Sequence, residues 1–129
     1  MKHHTDIDTT VQELKNLVVE FREERGWGVH HDPRSLAISI AIEAAELMEH
    51  FQWGEYSSAK KQEVSDELAD VLIYCFNLAD TLGVDVSQAY RDKLARAKAK
   101  YPVEIFHPGS DDPKEYARIK KNYREGKQQ

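Results

Sequence analysis

A chain of 129 residues with 40% hydrophobic side chains is long enough to bury a core within one domain, without disulfide staples. Its 18 basic and 23 acidic residues leave a net charge of −5, which argues against stable nucleic-acid binding, because such binders present a basic face to phosphates. One cysteine, Cys75, excludes an intrachain disulfide framework, and inside "VLIYCFNLA" it reads as a buried thiol of a reducing compartment.

The opening "MKHHTDIDTT" is too polar for a secretory signal, and His3 and His4 read as terminal residues without a metal role. No run approaches the roughly 18 apolar residues of a membrane span, so a cytoplasmic protein without membrane contact is expected. Helical periodicity then predicts four helices and no strand. The first covers about residues 9–25, with Val11, Leu14, Val18 and Phe21 at helical spacing. "GWGVHHDP" interrupts it. Asp32 as N-cap and Pro33 at the first helical position open the second helix, which reaches about residue 51. The third covers about residues 58–82 and stops at Gly83. Asp85 and Gln88 resemble a capping box for the fourth, which ends near residue 100 before "YP".

After Pro102 the composition turns polar, and "HPGSDDP" reads as a linker. Asp112, Pro113 and Glu115 can start a short extra helix with Tyr116, Ile119 and Tyr123 on one side. The organisation expected is an all-α four-helix bundle over residues 1–106 and a polar C-terminal tail over 107–129. A docked tail and a partner-binding arm both remain open for that tail.

On a helical wheel the apolar side chains from Leu36 to Phe51 fill an arc of about 240°, far wider than the stripe of a surface helix. The remaining strip holds Ser35, Ser39, Glu43, Glu46, Glu49 and His50. In the third helix Glu67, Asp70, Tyr74 and Asn77 form a polar stripe at spacings of 3, 4 and 3 on an otherwise apolar cylinder. If the two helices pack antiparallel with these strips facing, Glu43, Glu46, Glu67 and Asp70 converge. Four carboxylates that close repel one another unless a multivalent cation holds them. Both strips facing water, or both facing a metal, are the two surviving readings. An all-oxygen set suits Mg²⁺, Mn²⁺ or Ca²⁺, and Mg²⁺ commonly completes its shell with phosphate oxygens of a substrate.

Four blocks in order, "ERGWGVHHDPRSL", "EAAELMEHFQW", "DELADVLIY" and "KYP", resemble the MazG-like all-α nucleotide pyrophosphohydrolases, in particular the small branch that includes dCTP pyrophosphatase. The hallmark is an ExxE pair, Glu43 and Glu46, followed after about twenty residues by an ExxD pair, Glu67 and Asp70. The resemblance spans roughly residues 9–104. It implies hydrolysis of a nucleoside triphosphate to monophosphate and pyrophosphate, with Mg²⁺ (or Mn²⁺) on Glu43, Glu46, Glu67 and Asp70. A pyrimidine such as dCTP or a modified relative is the substrate it suggests, in nucleotide-pool cleaning. By the same resemblance Trp27, His31 and Trp53 line a base pocket, while Lys93, Arg96, Tyr74 and Tyr101 complete the substrate site. It further implies a homodimer, or a homotetramer built as a dimer of dimers. Ala97 departs from the pattern, standing where the family commonly has asparagine. The alternatives are dUTP or a broad set of nucleoside triphosphates as substrate, or a catalytically weak helical module that binds nucleotide or a partner.

Overall fold

In a computed structural model of the chain, residues 4–110 and 112–126 are described. His3 lies outside them. Every regular element among the described residues is helical: α1 (Val11–Glu24), α2 (Pro33–Glu49), α3 (Lys61–Leu82), α4 (Val86–Lys100) and α5 (Pro113–Gly126). Short 3₁₀ turns at Trp27–His30 and Ser58–Lys60 precede α2 and α3. The all-α class is therefore as the periodicity predicts, and the extra helix of the tail is formed.

The helix boundaries follow local chemistry. Thr10 caps α1 reciprocally: its hydroxyl accepts from the Glu13 N–H at 3.1 Å, and its own N–H donates to Glu13 Oε2 at 2.6 Å. Asp32 accepts from the Ser35 N–H at 3.1 Å, and Pro33 occupies the first position of α2, where no N–H is needed. Gly83, at φ +65°, ends α3 in the left-handed region, which lets the Val84 N–H return to the Ala79 carbonyl at 2.8 Å. Asp112 caps α5 by accepting from the N–H groups of Lys114 and Glu115 at 3.1 Å.

The chain divides into two compact units, Met1–Val86 and Ser87–Gln129. In the first, α3 is the central helix and packs on both α2 and α1. Leu36 and Ala79 are buried there, and so is Asn77. Arg22 ties α1 to α3: its guanidinium donates to Asp80 Oδ2 at 3.1 Å and to Asn77 Oδ1 at 3.4 Å, while Nε reaches Glu23 Oε1 at 3.0 Å. Asn77 in turn donates to the Ile73 carbonyl at 3.3 Å. Burial pushes the Cys75 thiol up from its ordinary value, consistent with an unreactive packing role. No helix among the described residues is long and apolar enough to cross a membrane.

The wide apolar arc of α2 is not covered within the chain. Ile38, Ile42 and Met48 remain about half-exposed, because α3 takes only one side of the helix.

In the second unit α5 is anchored to the end of α4 by aromatic contacts. Tyr101 stacks on Tyr116 with ring centroids 5.3 Å apart and meets Phe106 edge-on at 5.5 Å. The Lys100 ammonium stands 3.8 Å from the Tyr123 ring centroid. The tail helix is thus a docked one. Tyr116→Ala should remove about 1 kcal/mol of aromatic contact and raise amide exchange across α5 several-fold, measured by hydrogen–deuterium exchange with α3 as internal reference.

Candidate active site

Two four-residue motifs supply the candidate site. Glu43 and Glu46 share one face of α2, since positions three apart on a helix are neighbours, and Glu67 faces them from α3. One carboxylate oxygen from each of the three lies within 4.8 Å of the others. The helices pair antiparallel, for His50 at the end of α2 meets Glu63 and Glu67 near the start of α3. Asp70 stands one turn further along α3, and its charge also acts on Glu43.

The electrostatics record this crowding. The Glu43 carboxyl is raised above the ordinary glutamate range by burial first, then by a hydrogen bond with Glu46 and by the charges of Glu46, Asp70 and Glu67. Oxygen-only donors in a partly buried, mutually repelling set fit a hard divalent cation, which would offset the charge. Glu43, Glu46 and Glu67 are the residues that could hold it, with Asp70 next to them.

The rest of the α3 stripe divides. Tyr74, one turn past Asp70, is partly buried, but Asn77 is committed to Arg22 and to its own helix. Trp53 follows α2 at the acidic end and is 89% exposed. Trp27 lies before α2, half-exposed, with its ring edge-on to Phe21 at 5.7 Å. His31 lies beside it, and its buried Nδ1 has no hydrogen-bond partner. Glu43 stands ten residues beyond Pro33, about 15 Å along α2 at 1.5 Å per residue. Trp27 and His31 therefore flank the opening of α2, away from the carboxylates, whereas Trp53 follows its acidic end.

In the second unit Lys93 and Arg96 are exposed on α4, three residues apart and on one face. Lys100, which the wheel groups with them, is drawn to Tyr123 instead. Tyr101 is partly buried under Tyr116, and Ala97 contributes its carbonyl to the Tyr101 N–H at 2.9 Å.

Residues 38–115, which include both acidic pairs, match the family model described as MazG-like. The chain belongs to the MazG-like family. It is similar to dCTP pyrophosphatase 1 of Bos taurus, at 33% identity over 106 residues, covering 76% of this chain and 63% of that protein. The MazG-like chain thus spans less than two-thirds of the length of this curated relative. It is also similar to the dATP/dGTP diphosphohydrolase of Cyanophage S-2L, at 39% identity over 75 residues, covering 54% of this chain and 70% of that protein. Among solved structures, a pyrophosphatase from Archaeoglobus fulgidus superposes with a TM-score of 0.65 at 39% identity, over 79% of this chain and 98% of that one.

One neighbour of the MazG-like carboxylates is not singled out by sequence reasoning. His50 lies on the same strip of α2 as the glutamates, but with Leu47 and Trp53 three residues either side it forms no Glu-x-x-His pair and carries no metal-ligand signature. Only the approach of α3 gives it partners.

The raised Glu43 carboxyl sets a pH dependence for the metal-free protein. A carboxyl with a folded-state pKa above its unfolded one favours folding at low pH, and that contribution disappears as pH rises through the folded value. Metal-free protein should accordingly lose stability as pH climbs from about 4.5, the ordinary glutamate value, toward neutrality. Glu43→Gln should flatten this dependence and melt higher than wild type at pH 7 in EDTA, measured by thermal unfolding monitored by circular dichroism.

Proposed function

We propose that the chain hydrolyses a (deoxy)nucleoside triphosphate to the monophosphate and pyrophosphate, using Mg²⁺, or Mn²⁺ in its place, held by Glu43, Glu46, Glu67 and Asp70. The observation that carries this reading is the convergence of Glu43, Glu46 and Glu67, with three carboxylate oxygens within 4.8 Å of one another. Such an ion, when bound, offsets charge on phosphate oxygens and makes water a better nucleophile near neutral pH. The carboxylates of α2 and α3 hold the cation side of the site rigid, because both pairs sit on packed helices rather than on loops. Water attacks the α-phosphorus, the bond from that phosphorus to the α–β bridging oxygen breaks, and pyrophosphate leaves with the electron pair. A carboxylate oxygen of the ExxE pair takes the proton of the attacking water.

Trp27, Trp53 and His31 would hold the base, with Tyr74, Lys93, Arg96 and Tyr101 around the sugar and phosphates. Trp53 offers an almost fully exposed stacking face at the acidic end of α2. The opposite placement of Trp27 and His31 favours a site completed by a second copy of the chain. Exposed apolar surface supports such a copy: Ile38, Ile42 and Met48 of α2 stay about half-exposed. An apolar groove between α1 and α3, lined by Leu14, Leu17, Phe21, Leu72 and Ile73 among others, is the face it would cover. A homodimer, or a homotetramer built from two, follows. Leu72→Glu in this groove should shift the protein toward monomer in sedimentation velocity while leaving its helical content intact.

The favoured base is a pyrimidine, as in dCTP or a modified relative, in cytoplasmic nucleotide-pool cleaning. The match to dCTP pyrophosphatase 1 supports it by covering more of this chain than the match to the phage dATP/dGTP enzyme. dUTP or a broader set of triphosphates is the second reading, favoured by the alanine at position 97. The test incubates purified protein with a panel of ribo- and deoxynucleoside triphosphates, in Mg²⁺ or in EDTA, and resolves the products by ion-exchange chromatography. Monophosphate and pyrophosphate should appear only with the metal. Glu43→Gln and Asp70→Asn should each lower turnover about a hundredfold or more, and unchanged turnover in either would sink the assignment.

A further inference from the structure

His50 closes α2 as its C-cap residue, one turn beyond Glu46. Its ring stands between two acids of α3 that are themselves one turn apart. Nδ1 is 3.6 Å from Glu63 Oε2, and Nε2 is 3.7 Å from Glu67 Oε1. Of the two acids, Glu67 belongs to the converging carboxylates and Glu63 does not. Their exposures differ in the same sense: the Glu63 side chain is 67% exposed and that of Glu67 26%, while the imidazole between them is 19% exposed.

An exposed ion pair contributes little, because water screens it and two mobile side chains must be held for it. This contact differs in two respects. The ring is mostly covered, and one of its partners is a member of the cluster. A glutamate side chain has three rotatable bonds, and repulsion from Glu43 and Glu46 favours swinging Glu67 away from them. A ring nitrogen 3.7 Å from its Oε1 restricts that swing. Both ring nitrogens stand at ion-pair rather than hydrogen-bond distance from a carboxylate oxygen, so the ring's polar edge acts on Glu67 through electrostatic attraction and contact on one side of the carboxylate. Outer contacts of this kind orient the ligands of metal sites, and losing one commonly weakens binding tenfold to a hundredfold.

We infer that His50 is a positioning residue for the cation site: it holds Glu67 in the orientation that meets Glu43 and Glu46, with Glu63 steadying the far edge of the ring. The inference rests on the cation site proposed above, and its test reads cation affinity rather than turnover. Mn²⁺ is titrated into the full chain at fixed pH, and free Mn²⁺ is followed by electron paramagnetic resonance. His50→Leu keeps the apolar bulk and removes both nitrogens, and it should bind Mn²⁺ about tenfold more weakly than wild type. His50→Gln, which retains a polar donor, should recover affinity to within about threefold of wild type. Circular dichroism confirms that each variant keeps its helices. His50→Leu binding Mn²⁺ as tightly as wild type would overturn the inference and leave the cation site standing. Equal losses in His50→Leu and His50→Gln would also overturn it, since the shape of the ring rather than its polar edge would then be responsible. Wild-type protein that takes up no Mn²⁺ would overturn the inference together with the site beneath it.

Discussion

The antiparallel pairing of α2 and α3 is the constraint on which the site depends. Apolar contact between the helices, with Leu36 and Ala79 at its buried end, draws together two strips that each carry acids of the same sign. Repulsion among Glu43, Glu46, Glu67 and Asp70 opposes that contact, and it adds to burial in raising the Glu43 carboxyl. Local rules favour separating these charges, whereas packing forces them together. Conflicts of that kind are where proteins give up stability for function. A cation relieves the conflict, so the same residues that weaken the metal-free fold would become its binding energy in the loaded protein.

The two ends of the helix pair are built differently. At one end lie the carboxylates, His50 and Trp53. At the other, Arg22 is enclosed by Asp80, Glu23 and Asn77, and this neutralised network serves the joint between α1 and α3. The proposed chemistry falls at one end of the pair and structural closure at the other. Much of the apolar surface of α1, α2 and α3 nonetheless stays open, from Leu17 and Phe21 to Ile42 and Met48. A chain with few fully buried side chains among its described residues is short of hydrophobic stabilisation by itself. The completion of its core and of its base pocket by a second copy would then be one event.

Much was legible from residue types alone. The caps at Asp32 and Gly83 and the 3.6-residue periodicity place the helices to within two or three residues, because these are local effects within one or two turns. The tail was harder. Tyr116, Ile119 and Tyr123 mark an amphipathic helix, yet docked helix and free arm have the same pattern. Only the stacking of Tyr116 on Tyr101 distinguishes them. The α3 stripe misleads in a similar way. Asn77 continues the spacing of Glu67, Asp70 and Tyr74, but the approach of Arg22 from α1 turns it into a buried structural amide. Lys100 likewise leaves the basic face of α4 for the Tyr123 ring.

By itself the sequence determined the helical class, the helix ends and the two acidic pairs, since propensity, capping and periodicity act over a few residues. It also carried the family, whose motifs are short and ordered. The tertiary structure decided which of those polar residues meet. Glu67 joins Glu43 and Glu46, His50 comes to lie between Glu63 and Glu67, and Trp27 lies before the opposite end of α2. Which strips face one another depends on how two nearly all-apolar cylinders rotate into contact. That rotation is set by side-chain packing along the whole interface, and no single segment of the chain encodes it.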